Sequence, residues 1–108
     1  MNEYTDRQRT NRYGGAALKK TYQKDVEACI RAAKLKRIDR PVYIQYTFYE
    51  PNRRRDKDNI AGMAHKIIQD ALVATRIIKN DGWNDVKGFS DEFHVDKKDP
   101  RIEVTLRY

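Results

Sequence analysis

The sequence predicts an α+β domain in which a small mixed β-sheet packs against two main α-helices. Three observations carry that prediction. Two stretches place apolar residues at helical spacing, other segments alternate apolar and polar residues, and glycine, proline or Asn-Asp breaks separate them. The elements run helix, strand, helix, strand, strand, which is an α+β order rather than a strict strand-helix repeat. A chain of 108 residues fits one domain spanning 1–108. At that size roughly two-thirds of the unfolded surface is buried on folding, enough for one modest core.

Residues 1–13 are polar and basic without periodicity and read as a basic N-terminal arm or irregular strand. After Gly14-Gly15, residues 16–34 place Leu18, Tyr22, Val26, Cys29 and Ala33 at helical spacing with no proline among them, so a helix is expected there. Arg40-Pro41 ends the connection. In VYIQYTFYE, Val42, Ile44, Tyr46 and Phe48 alternate with Tyr43, Gln45, Thr47 and Tyr49, the pattern of a strand with one face in the core. Pro51-Asn52 breaks that strand. From residue 59 onward Ile60, Met63, Ala64, Ile67, Ile68, Ala71 and Leu72 fall at offsets 0, 3, 4, 7, 8, 11 and 12, the most regular helical stripe in the chain. Asp58 or Asn59 is the natural N-cap for it. The turn cluster KNDGWND then leads to GFSDEFHVDKK and, after Asp99-Pro100, to RIEVTLRY, in which Ile102, Val104 and Leu106 share a face.

Charge narrows the partners. Lys and Arg number 23 against 16 Asp and Glu, a net charge of +7. On a small domain such an excess suggests a polyanion, nucleic acid first, although charged residues also serve simply to solvate surfaces. The single cysteine, Cys29, has no internal disulfide partner and reads as a small buried hydrophobe. No apolar run has the length of a signal peptide or membrane span, so the expected location is cytoplasmic, without a membrane partner. His65 and His94 lack zinc-ligand spacing and read as surface or strand polar residues.

The run RRRDKDN at 53–59 sets two carboxylates beside the densest positive charge in the chain. Asp56 and Asp58 stand where an extended segment enters a helix, a spacing that directs both to one side. Two carboxylates held together raise each other's pKa unless a cation compensates, and Mg²⁺ or Mn²⁺, hard ions that take oxygen ligands, do so. The turn after the second helix offers Asp81 or Asp85 as a third acid. Simpler roles stand beside this one: Asp56 paired with a neighbouring arginine, Asp58 only capping the helix, Asp81 only stabilising a turn.

RRRDKDN, the helix after it carrying Lys66 and ending in Asp70-Ala71-Leu72, the acidic turn, the closing PRIEVTL strand and the earlier Asn11-Arg12-Tyr13 together resemble the RusA-type Holliday junction resolvases. These are small endonucleases widespread in phages and prophages. The resemblance implies a RusA-like fold and a homodimer that binds four-way junction DNA and nicks it in pairs, in DNA recombination and repair. It implies Mg²⁺, with Mn²⁺ as a possible substitute, held by Asp56, Asp58 and Asp81. Asp81 is chosen because it lies eleven residues beyond Asp70, the family's separation, with Asp85 as the substitute. It also implies a catalytic lysine. Where relatives carry it, four residues after the second aspartate, this chain has Gly62, and Lys66, four before Asp70, takes the part. Arg53, Arg54 and Arg55 are expected to hold flanking phosphates, with Arg7, Arg9, Arg12, Lys19 and Lys20 as a second track. Two alternatives stay open: a DNA-binding module without catalysis, and a nuclease selective for flaps or forks.

Overall fold

The computed structural model describes residues 3–8 and 15–108, with side chains from residue 21 onward. Six elements follow in order: β1 (Glu3–Gln8), α1 (Gly15–Ala32), β2 (Val42–Glu50), α2 (Lys57–Ala74), β3 (Val86–Val95) and β4 (Arg101–Arg107). The fold is α+β, as the sequence predicts. Its sheet is ordered β1-β4-β2-β3. β4 pairs antiparallel with both β1 and β2, whereas β2 pairs parallel with β3, so the sheet is mixed. A parallel pair needs a crossover, and α2 supplies it.

One face of the sheet is dry. Val42, Ile44, Tyr46 and Phe48 are fully buried, and Ile102, Val104 and Leu106 continue that face on β4. Tyr22, Val26 and Ile30 of α1 join Ile60, Ala64, Ile67, Ile68, Ala71 and Leu72 of α2 in the same cluster. Full burial of side chains such as Ile44 and Phe48 contributes about 1.5–3 kcal/mol each. Burial also pushes the Tyr46 phenol above its ordinary pKa, while Gln69 Nε2 donates to its Oη at 3.1 Å. The opposite face, with Tyr43, Gln45, Thr47 and Tyr49, is half-buried. None of the described helices is long and apolar enough to cross a membrane.

The structure corrects the sequence reading in four places. Within residues 1–13, read as an arm or irregular strand, Glu3–Gln8 is a regular edge strand whose order comes from pairing with β4 rather than from its own pattern. In α1 the buried stripe is Tyr22, Val26 and Ile30; Cys29 is only half-buried and Ala33 is exposed beyond the helix end. In α2 Ala61 is buried and Met63 is 44% exposed, the reverse of the expectation for Met63. α2 also starts earlier than expected, at Lys57, so Asp56 rather than Asp58 or Asn59 is its N-cap residue.

The C-terminal end of α2 closes in a Schellman arrangement. Arg76 N–H donates to Val73 O at 3.0 Å and Ile77 N–H to Leu72 O at 3.0 Å, with Arg76 in the left-handed region at φ 62°. This stop turns the chain back and leaves the KNDGWND turn at the far end of the helix from the aspartates.

Candidate active site

The segment joining β2 to α2 builds the site. Glu50 ends β2 on its buried face, and Pro51 prevents the strand from continuing. Asn52 Oδ1 accepts the Arg54 N–H at 3.0 Å, a local turn. Arg55 then reaches back to the Glu50 carboxylate through three hydrogen bonds of 2.8–3.0 Å. Asp56 follows in an extended conformation, and its carbonyl accepts the first helical bond from Ile60 N–H at 3.1 Å. Its side chain makes no capping hydrogen bond. An aspartate at that position ordinarily caps, so this carboxylate is left for another partner. Asp58 sits in the first turn of α2, where the helix dipole favours a negative charge.

These residues line an open groove of about 1120 Å³. Asp56, Lys57 and Asp58 with Arg53 and Arg55 form one side, and Phe93, His94 and Val95 of β3 the other. Asp56, Asp58 and Arg53 are exposed and available to solvent or substrate. Lys57 Nζ lies 5.5 Å from the Phe93 ring centroid. The two aspartates of the D-x-D pair are therefore together, as expected, beside at least one free arginine.

Other expected site residues lie elsewhere. Asp81 belongs to the turn beyond the far end of α2, a helix about 27 Å long, and its N–H is bound to Asn80 Oδ1 at 2.8 Å. Asp85 is at that end too, its carbonyl accepting Val42 N–H at 2.9 Å. Glu50, at the groove, is separated from Val42 by the whole of β2, about 26 Å. Among the described residues no three His, Cys, Asp or Glu side chains converge as a metal site. One chain thus supplies Asp56 and Asp58 to the groove and does not bring Asp81 to them.

Lys66 is also outside the groove. Its Nζ bonds Asp70 Oδ1 at 3.1 Å, and its side chain is 60% exposed. Arg55 is engaged by Glu50 rather than free for phosphate, whereas Arg53 and Arg54 are exposed. Arg9 and Arg12 lie outside the described residues; Arg7 falls within β1, and Lys19 and Lys20 within α1, their side chains outside those described.

Two features escaped the sequence. Glu50 is a buried carboxylate at the groove, and its place in the buried register of β2, five residues before an arginine, is the signal that marks it. His65 is not a surface residue: Nε2 lies 2.6 Å from Asp91 Oδ1, and its ring packs 4.5 Å from Tyr46 and 4.6 Å from Phe89. It ties α2 to β3.

No curated protein matches the chain. The family model described as endodeoxyribonuclease RusA matches residues 2–107, nearly the whole sequence. With paired aspartates at the head of α2, exposed arginines beside them and a match of that extent, the chain belongs to the RusA endodeoxyribonuclease family.

Proposed function

We propose that the protein is a metal-dependent endodeoxyribonuclease that resolves four-way DNA junctions by paired nicking, acting in the cytoplasm in DNA recombination and repair. The observation that carries this reading is the uncapped Asp56 carboxylate beside Asp58 in a groove edged by exposed arginine. Two exposed carboxylates at a helix N-terminus are oxygen donors suited to a hard divalent cation, so Asp56 and Asp58 fit Mg²⁺ or Mn²⁺. Bound there, such an ion supplies a polarised water and charge stabilisation at the scissile phosphate. Arg53 and Arg54 hold neighbouring phosphates, offsetting the repulsion between the aspartates and the DNA. A binding module without catalysis has no use for an exposed acidic pair that repels its ligand.

Paired nicking needs two grooves related by a two-fold axis, hence a homodimer. The placement of Asp81 fits the same assembly. Unable to reach the groove of its own chain, Asp81 meets the Asp56–Asp58 pair of a second copy. Trp83, 99% exposed on the same turn, offers apolar area for that contact.

The test is cleavage of a synthetic four-way junction, a fork and a linear duplex, each with Mg²⁺, Mn²⁺ or EDTA. Nicking of the junction alone, abolished by EDTA, is expected; equal cutting of the fork turns the reading to a flap or fork nuclease, and binding without cutting to a DNA-binding module. Mixing inactive Asp58→Asn and Asp81→Asn chains tests the shared site. A mixed dimer has one groove with both intact groups, so activity should return; silence at all mixing ratios rules the sharing out.

A further inference from the structure

Ile38 N–H donates to Ile77 O at 2.7 Å and joins the loop that follows α1 to the loop that follows α2. Ile38, Ile77 and Ile78 are buried, which pins both loops to the core. The C-terminal ends of the two helices therefore share one end of the molecule, opposite the Asp56–Asp58 groove. Residues 34–40 and 76–79 there carry six cations, Lys34, Lys36, Arg37, Arg40, Arg76 and Lys79, against one acid, Asp39. All six cations are exposed. The carbonyl ends of helices favour positive charge only close to the last turn, which accounts for Lys34 and Arg76. Lys36, Arg37 and Arg40 stand four or more residues past the end of α1, so helix stability does not explain them. These three share a surface depression of about 310 Å³ bordered by Tyr108. Arg37 pairs with Asp39 at 3.2 Å, a weak pair because the side chains are 49% and 82% exposed. Among the described residues Lys36 and Arg40 have no ion-pair partner. The depression opens at the end of β4, whereas the Asp81 turn leads into β3, and these two strands flank β2 on opposite sides. A second copy that meets Asp81 thus leaves the depression uncovered.

We propose that Lys36, Arg37 and Arg40 form a second DNA-binding surface, which grips the phosphate backbone of a duplex arm away from the cut; this rests on the junction-binding reading above. β2 runs from this end to the groove over about 26 Å, and a base pair rises about 3.4 Å, so the contacts fall roughly eight base pairs from the phosphate at Asp56. Cations on loops pinned by buried isoleucines lose little freedom on binding. Phosphate contacts carry no base preference, so the surface fixes the direction of the arm and leaves the choice of cut to the groove.

The experiment measures affinity by fluorescence anisotropy in EDTA on two four-way junctions. One is unmodified; the other carries uncharged methylphosphonate linkages about six to ten base pairs from the crossover on each arm. The parent is compared with the triple variant Lys36→Ala, Arg37→Ala, Arg40→Ala and with the charge-conserving triple Lys36→Arg, Arg37→Lys, Arg40→Lys, thermal unfolding being read for each. On the unmodified junction the alanine triple should bind at least tenfold more weakly than the parent, with a slope of log K against log salt lower by about 2 to 3, and the charge-conserving triple should match the parent. The uncharged linkages should weaken the parent by a similar factor and the alanine triple by no more than about twofold, the coupling expected of groups in contact. A loss below tenfold on the unmodified junction overturns the proposal, as does an equal effect of the linkages on parent and alanine triple. Arg40→Glu, a single exposed change, carries the same test should the alanine triple fail to fold. Because EDTA stops cleavage, a parent that binds but never cuts removes the nuclease reading and leaves this result standing; a parent that binds no junction removes both.

Discussion

Arg55 and Glu50 fasten the β2–α2 loop to its own starting strand: Nη2 lies 2.8 and 3.0 Å from the two carboxylate oxygens, and Nε lies 3.0 Å from Oε1. The Glu50 side chain is 7% exposed and the Arg55 side chain 40%. Arg55→Ala leaves a buried charge unpaired. Because the guanidinium is partly solvated, the cost is below that of a fully buried pair, about 2 kcal/mol. For a domain of this size that lowers the unfolding midpoint by roughly 10 °C. Glu50→Gln together with Arg55→Met should recover part of the loss in a double-mutant cycle, read by urea or thermal unfolding.

The division between Arg55 and its neighbour should appear in salt titrations. Arg53 is exposed at the groove with no carboxylate holding it among the described residues, so Arg53→Ala should weaken junction binding uniformly across sequences. The slope of log K against log salt should fall by about 1. Fluorescence anisotropy at several salt concentrations checks this; an unchanged slope places Arg53 away from the phosphates.

Arg76 occupies the left-handed position that closes α2, where a β-carbon is disfavoured and glycine is not. Arg76→Gly is expected to stabilise the protein by about 1 kcal/mol, offset in part by the greater freedom glycine gives the unfolded chain. Denaturant unfolding should show a higher midpoint with an unchanged slope.

Asp96 gives a pH-dependent contribution. A hydrogen bond from Arg101, then the backbone N–H groups of Asp99 and Lys98, hold its carboxyl below the usual carboxylate range. A group whose pKa is lowered on folding stabilises the native state above its unfolded value, about 3.9, and loses that contribution as pH falls through the lowered value. The stability gap between parent and Asp96→Asn should stay constant from pH 7 to pH 5 and narrow below about pH 4. A gap that widens with acid contradicts the pairing.

The elements legible in the sequence were those whose burial is written as a period. β2 and β4 alternate over their full length, and α2 repeats its apolar stripe from Ile60 to Leu72. β1 carries no such period, because an edge strand takes its order from the hydrogen bonds of its neighbour. The Ala61–Met63 exchange has a different cause: residues of a helix at the border of the stripe are assigned by what stands opposite, which no single helix contains. Asp56 and Asp58, two residues apart at the entrance to α2, line the same groove because so short a separation keeps them at one place in the fold. Asp81 was placed by counting residues from Asp70, a measure blind to the direction in which α2 carries the chain. The His65–Asp91 bond joins residues 26 apart, and neither local sequence signals the other.

The position of β4 between β1 and β2 also sets the order in which the chain can fold. During synthesis β2, α2 and β3 emerge together and can assemble as a unit, yet the other edge of β2 has no partner until residues 101–107 appear. β1 waits even longer, since its partner lies about a hundred residues away along the chain. For that interval VYIQYTFYE, rich in β-branched and aromatic residues, presents an open edge able to template pairing between nascent chains. Trimming β4 should therefore yield aggregates rather than a smaller soluble domain, and yield on expression should depend on how quickly the last strand closes the gap.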